Sequence, residues 1–262
     1  MSKWGTVVLL AIDIGNTNIS CGLFRDEKLL KKIRFSTSLV YRKELCSTHF
    51  RKSFPQDFGE IVVCSVVPEA LSRLIKVVRR CFNRVPYIVG KDFSVPIVNC
   101  YRRPSQVGQD RLVNAYAGQL MYGRPAIIVD FGTAVTFDVV SAKGAYAGGV
   151  IAPGMELALN ALSEKAALLP ALKLKKATSV LGKTTAESMI AGIVYGYTGL
   201  CEGILERLKK RIGRRCKVIA TGGHAVFIAR HTDSFQILDE DLTLKGIYLS
   251  YVNGRLRVSR RK

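Results

Sequence analysis

The sequence predicts an α/β protein made of two related halves, and three observations lead to that class. Apolar runs of strand length alternate with segments of helical period. An apolar run, a tight turn built on Asp-x-Gly and a second apolar run occur twice, first around Asp13 and Gly15 and again around Asp130 and Gly132. Hydrophobic residues make up 48% of the 262 residues and charged residues 23%. That composition supports a sizeable core and excludes a disordered, collagenous or fibrous chain.

Each element follows from local pattern. Residues 6–12 are an apolar run cut short by Asp13, with Lys3 before it and no small-residue cleavage site after it, so they read as a buried strand and not as a signal peptide. A second strand at 19–24 completes a hairpin. Residues 60–67, ended by Pro68, and 86–89 read as strands buried on both faces. Between them Leu71, Leu74, Val77 and Val78 mark a helix over 69–81. Another helix spans 110–121 and carries Leu112, Val113, Ala117 and Leu120. Gly123, Arg124 and Pro125 then break the chain, which places a boundary between domains 1–122 and 123–262. In the second half, 135–140 is a strand, and 186–211 has a long helical period interrupted by Gly192, Gly196, Gly199 and Gly203. That stretch reads as two helices or as one closely packed helix. Residues 217–220 form a strand running into Thr221, Gly222 and Gly223. Arg255, Arg257, Arg260, Arg261 and Lys262 make a basic tail, and no uninterrupted apolar stretch approaches the length of a bilayer span.

Forty Lys and Arg against twenty Asp and Glu give a net charge of +20, which raises polyanions as partners without selecting one. The basic residues are spread in short clusters such as Lys31, Lys32 and Arg34 or Lys209, Lys210 and Arg211, the pattern of solvated faces more than of a nucleic-acid site. Seven cysteines, an odd count with no C-x-x-C pair, argue against a disulfide framework and a zinc ribbon and point to a reducing, cytoplasmic setting. His49, His224 and His231 lack ligand spacing, and neither Gly-x-Ser-x-Gly nor His-Glu-x-x-His occurs. Gly182, Lys183 and Thr184 resemble the end of a P-loop, but position 177 is Ala where that motif needs Gly, and no strand precedes it. The dinucleotide fingerprint is absent after the first strand.

The remaining chemistry lies in turns. Asp13, Gly15, Asn16, Thr17 and Asn18 gather backbone N–H groups, amides and a hydroxyl where glycine lets the backbone approach a phosphate and a carboxylate can hold Mg²⁺ through water. Alone, this is equally an ordinary hairpin turn. Its second copy, with Asp130, Gly132, Thr133 and Thr136, suits a pair of turns opposed across a cleft and clamping nucleotide phosphates. Asp110 and Arg111 follow a Pro- and Gly-punctuated loop at a helix start, where Asp110 can accept a hydroxyl proton and Arg111 can pair with a carboxylate or the transferring group. The alternative is an aspartate favoured by the helix dipole beside a solvated arginine, and the dipole lowers the pKa of such a carboxyl.

In order along nearly the whole chain stand Asp13 to Asn18; Cys64 to Pro68; Gly108 to Arg111; Asp130 to Ala134 with Thr136 and Asp138; Gly148 to Gly154; Thr185 with Ser188 and Met189; Thr221 to Gly223; and Leu244 with Gly246. In this series the sequence resembles the type III pantothenate kinases of the actin, hexokinase and Hsp70-like ATPase superfamily. The resemblance implies two duplicated actin-like (ribonuclease H-like) domains with mixed sheets and an interdomain cleft. It also implies ATP-dependent phosphorylation of pantothenate with Mg²⁺ and a monovalent cation, K⁺ or NH₄⁺, in a homodimer that needs neither membrane nor nucleic acid. Carried onto this chain, it puts Asp13, Ile14, Gly15, Asn16, Thr17, Asn18, Ile19 and Ser20 in the first ATP phosphate loop and Thr133 in the second, with Asp130 on the monovalent cation. Tyr101, Gly108, Gln109, Asp110, Arg111 and Thr185 then line the pantothenate site, with Asp110 as proton acceptor. Gln109 stands where the family often has Ala and Thr184 where many members have Asn. A rival reading on the same fold is a nucleic-acid or regulator-binding accessory factor.

Overall fold

Alternate residues of a strand face opposite ways, and this period of two decides what each face of the two sheets carries. The computed structural model describes residues 8–54 and 58–259; Lys3, Thr6 and Val7 at the start of the first run and before it, and Arg260, Arg261 and Lys262 of the basic tail, lie outside the described residues. Two compact units emerge, one of Met1–Val98, Arg102–Ala117 and Asp241–Lys262, the other of Asn99–Tyr101 and Gly118–Glu240.

In the first unit β1 (Val8–Ile14), β2 (Asn18–Arg25) and β3 (Lys28–Ser36) form an antiparallel meander, followed by α1 (Lys43–Ser53), β4 (Glu60–Ser65), α2 (Pro68–Phe82) and β5 (Tyr87–Ile88). The sheet order is β3-β2-β1-β4-β5, with β4 parallel to β1 and β5 parallel to β4. Leu10, Ile12 and Ile14 pack with Ile61 and Val63 against Phe50 of α1 and Leu74 and Val77 of α2. Pro68, read from sequence as the end of a strand, is the first residue of α2, where its missing N–H has no intrahelical acceptor to lose. β6 (Val98–Asn99) leads through a loop to α3 (Gln109–Tyr122).

The second unit repeats the plan. β7 (Ala126–Phe131), β8 (Ala134–Val140) and β9 (Ala145–Pro153) form the meander, α4 (Met155–Lys165) and α5 (Thr185–Ile212) follow, and β10 (Lys217–Thr221), α6 (Ala225–Ala229) and β11 (Ile237–Leu238) complete the unit. Its sheet order is β11-β10-β7-β8-β9-β6, so the run from β9 to β11 mirrors that from β3 to β5. Both sheets are mixed, as expected. Ile127, Val129, Phe131, Val218 and Ala220 pack against Met189, Ile190 and Val194 of α5.

The stretch predicted as two helices or one is a single helix of 28 residues. Gly192, Gly196 and Gly199 do not break it, because they lie on an exposed face where an added Cβ meets nothing within 4 Å. By length and composition alone α5 is apolar enough to cross a membrane, but half of that window is buried against its own unit.

The last helix, α7 (Leu242–Ser259), was not anticipated beyond Leu244 and Gly246. It covers the face of the first sheet opposite to α1 and α2: Tyr248 stacks on Phe24 with centroids 5.0 Å apart, and a Cβ on Gly22 would lie 3.1 Å from Leu244. Lys32 of β3 pairs with Asp241 just before it at 2.5 Å. At Gly246 the helix backbone rests on α3, where an added Cβ would lie 2.8 Å from the carbonyl carbon of Val113 and 3.2 Å from its Cβ. Gly246→Leu is therefore expected to lower stability by about 2–3 kcal/mol through overpacking, read from the midpoint of urea denaturation.

Candidate active site

The two Asp-x-Gly turns occupy corresponding places in their units. Asp13 and Asp130 are each the last-but-one residue of a central strand, Asp13 opposite Ser20 and Asp130 opposite Thr136 across the hairpin. On the parallel side Asp13 is in register with Cys64 and Asp130 with Thr221. Because register partners share a face, each aspartate stands in a row of three side chains: Asp13 between the Ser20 hydroxyl and the Cys64 thiol, Asp130 between the hydroxyls of Thr136 and Thr221. The first turn is closed by Gly15 N–H donating to Asn18 O at 3.0 Å, and Thr37 braces it by donating from its hydroxyl to Gly15 O at 2.7 Å and from its N–H to Thr17 O at 2.9 Å. Asn16 and Thr17 are exposed, whereas the side chains of Ile14 and Ile19 are fully buried in the core.

The second turn is one residue tighter, Gly132 N–H donating to Ala134 O at 3.0 Å, with Gly132 and Thr133 exposed. Backbone closes on it from two sides. Gly154 N–H donates to Thr133 O at 2.9 Å, and a Cβ on Gly154 would lie 2.5 Å from Gly132 O. Gly222, at φ +89°, would carry a Cβ 2.6 Å from the amide of Phe131 and against the Asp130 carboxylate. The Thr221 hydroxyl beside it is buried with no hydrogen-bond partner among the described residues. A carboxylate and a buried hydroxyl oxygen in one row suit a hard cation that takes oxygen ligands. No group of three or more His, Cys, Asp or Glu side chains arranged for a metal occurs among the described residues.

Asp110 stands in the first turn of α3, in the first unit. Its Oδ1 accepts the N–H of Arg111 at 2.8 Å, and a Cβ on Gly108 would strike that same oxygen, so glycine at 108 lets the carboxylate fold back over the loop. Burial raises the Asp110 pKa above its ordinary value, outweighing the Arg111 N–H and charge, which pull it down. The sequence expectation that a helix start would lower this pKa is thus corrected: desolvation wins. The Cys64 thiol is pushed well up by burial first and then by the charges of Asp13, its register partner, and Asp110. Gln109 lies on Gly90, whose φ is +82° and whose added Cβ would be 2.6 Å from the Gln109 amide carbon. Arg111 is buried.

A profile of the type III pantothenate kinases matches residues 9–207. The chain belongs to that family. Relatives named type III pantothenate kinase include one from Halalkalibacterium halodurans, 39% identical over 250 residues, covering 93% of this chain and 98% of that one. Another, from Syntrophobacter fumaroxidans, is 41% identical over 253 residues, covering 93% and 97%. Among solved structures the chain is similar to a Campylobacter jejuni protein described as a Baf family transcriptional activator, with TM-score 0.58, 21% identity and coverage of 94% and 98%. It is also similar to component A of the (R)-2-hydroxyglutaryl-CoA dehydratase of Acidaminococcus fermentans, with TM-score 0.52, 13% identity and coverage of 97% and 99%. These two likenesses bear on the fold alone, two α/β units each with a mixed sheet.

One departure of this chain from the family's pattern, Thr184, is locally accounted for. Thr184 is the N-cap of α5, its hydroxyl accepting Glu187 N–H at 3.2 Å while Glu187 accepts Lys183 N–H at 2.8 Å. Asn caps a helix as well as Thr does. Gly182 packs on the first turn of that helix, an added Cβ lying 2.7 Å from Glu187, so the Gly-Lys-Thr run is a helix cap, in line with the rejected P-loop. Thr185, the first residue of α5, is exposed. Tyr101 lies in the second unit, half-buried, its N–H donating to Asn99 Oδ1 at 3.0 Å. Sequence reasoning missed the Thr221 hydroxyl; its one signal was a threonine ending a strand immediately before two glycines.

The direction of the Asp110 shift fixes a stability test. A carboxyl whose folded pKa exceeds its unfolded one binds protons more tightly when folded, so stability falls as pH rises from the unfolded pKa through the folded one. Asp110→Asn is therefore expected to keep or raise the Tm at pH 7, with the difference from wild type vanishing at acid pH, as read by calorimetry.

Proposed function

We propose that this chain transfers the γ-phosphoryl group of ATP to the 4′-hydroxyl of pantothenate, giving 4′-phosphopantothenate, the first step of coenzyme A synthesis. The observation that carries the reading is Asp110, a carboxylate of raised pKa that shares the surroundings of Cys64 with Asp13 and its glycine turn. A base beside a phosphate-binding turn is what phosphoryl transfer to an alcohol requires.

In this reading the backbone of residues 13–20 and the side chains of Asn16, Thr17, Asn18 and Ser20 hold ATP phosphates, with Asp13 toward Mg²⁺ and Thr133 contacting phosphate from the second turn. Asp130, helped by the Thr221 hydroxyl, holds the monovalent cation, K⁺ or NH₄⁺, which when bound offsets phosphate charge. Tyr101, Gly108, Gln109, Arg111 and Thr185 line the pantothenate site, with Arg111 toward the substrate carboxylate. Gln109 contributes through its backbone, because its side chain rests on Gly90. Asp110 receives the hydroxyl proton as the oxygen attacks.

A homodimer is supported by the exposed row of Gly192, Gly196 and Gly199 on α5, since small residues let a second helix approach closely. A cytoplasmic location without membrane insertion is supported by seven free cysteines, six of them buried, and by the packing of α5 in its unit. The basic charge has local explanations that do not call for nucleic acid. Arg79 and Arg80 end α2, and Lys209, Lys210 and Arg211 end α5, where the helix dipole favours cations. Lys31, Lys32 and Arg34 lie on β3, an edge strand that charge protects from pairing with other chains.

Purified protein is expected to form 4′-phosphopantothenate by mass spectrometry only when ATP, pantothenate and K⁺ or NH₄⁺ are all present. Asp110→Asn is expected to lower kcat by about 10²–10⁴-fold. Because the base must be ionised and its pKa is raised, the acid limb of kcat/KM should lie above the 3.8 of an ordinary aspartate. ADP release independent of pantothenate, or an unaffected Asp110→Asn, rejects the reading. For the dimer, Gly196→Leu with Gly199→Leu should give a monomer by light scattering with an undiminished Tm, since leucine is the better helix former.

A further inference from the structure

We propose that Asp138 is a positioning residue for the acceptor site: it fixes Tyr146, and Tyr146 seats Tyr101. The proposal rests on the reading of Tyr101 as a pantothenate-site residue and extends it to two buried groups that the proposed chemistry does not otherwise use.

Asp138 lies in β8 and is completely buried, as is Tyr146 in β9. The Asp138 carboxylate accepts the Tyr146 hydroxyl on Oδ1 and the Thr136 hydroxyl on Oδ2, each at 2.9 Å. A carboxylate withdrawn from water is costly unless its oxygens are hydrogen-bonded. An apolar side chain at 138 would avoid that cost but would leave the phenol of Tyr146 without this acceptor. What the carboxylate supplies is two acceptor oxygens at once, for two hydroxyls reaching it from one face of the sheet.

Both hydroxyls lead toward residues assigned to the site. Thr136 is the register partner of Asp130. The Tyr146 ring lies 6.3 Å from the Tyr101 ring at 47°, and the Tyr146 carbonyl accepts the N–H of Cys100 at 2.9 Å, so side chain and backbone of Tyr146 together hold the segment that carries Tyr101. Gly148, at φ +125°, completes the seat: the Tyr101 ring passes over it, 3.8 Å from where a Cβ would stand. Asp138 thus connects the edge of the acceptor site to the row of Asp130 through one buried group.

The test is steady-state kinetics with pantothenate and ATP varied separately. Tyr146→Phe keeps the ring and removes the hydroxyl. It is expected to raise the KM for pantothenate roughly five- to tenfold, the size of one lost hydrogen bond, with kcat and the KM for ATP within about twofold. Asp138→Leu should do the same, and Asp138→Asn, which keeps one acceptor oxygen, should fall between it and wild type. Tyr101→Ala should raise the same KM, and adding Tyr146→Phe to it should change nothing further, because the effect runs through Tyr101. If Tyr101→Ala leaves the pantothenate KM unchanged, the reading of the acceptor site fails and this proposal fails with it. If Tyr101→Ala raises that KM but Tyr146→Phe does not, or if the two effects multiply, the positioning proposal alone is overturned. Tyr146→Phe lowering only the Tm would likewise overturn it.

Discussion

A carboxylate can sit near the end of a buried central strand only if the turn beyond it brings polar backbone within reach. That constraint shapes both units. In the first, Gly15 and the Thr37 brace close a turn directly beyond Asp13. In the second, Gly132, Gly154 and Gly222 let three stretches of backbone converge on Asp130 and the two residues after it. At Gly154 and Gly222 any side chain would collide with main-chain atoms, so the glycines there are a matter of volume, and at Gly222, with φ +89°, of dihedral freedom as well. Anion-binding turns arise in the same way, because N–H groups gathered without side chains present their partial charge to whatever approaches.

Burial then sorts the carboxylates by task. Asp110 is desolvated enough for its proton affinity to rise despite the neighbouring Arg111, which makes it a better base than an exposed aspartate at a helix start. Asp138 is more deeply buried and is held by hydroxyls, an arrangement suited to fixing neighbours. Cys64, the strand neighbour of Asp13, is kept a neutral thiol by burial and by the charges of Asp13 and Asp110, and so adds packing without adding charge next to the Asp13 turn.

Much of the site was legible because its chemistry is local. The two hairpins and the loop delivering Asp110 each depend on residues within a few positions of one another, and each is announced by Gly, Asp, Thr or Pro at fixed spacing. The direction of the Asp110 shift was not legible. The helix dipole is visible in the sequence, whereas the amount of water removed from the carboxyl depends on what packs around it. Thr221, Asp138 and Tyr146 were hidden for a related reason, since their roles depend on cross-strand register, which a one-residue slip would reverse.

The sequence by itself determined the α/β class, the duplication and the glycine turns, because hydrophobic period and turn chemistry are properties of neighbouring residues, and its ordered series of motifs carried the resemblance to the family. Only the tertiary structure decided where α7 goes. Its period says little about a partner, and it is the stacking of Tyr248 on Phe24 and the fit of Gly246 on Val113 that bring the C-terminal helix back to the first sheet. Only the fold could likewise show that α5 is one helix, because a glycine breaks a helix or merely bares one of its faces according to what packs against the others.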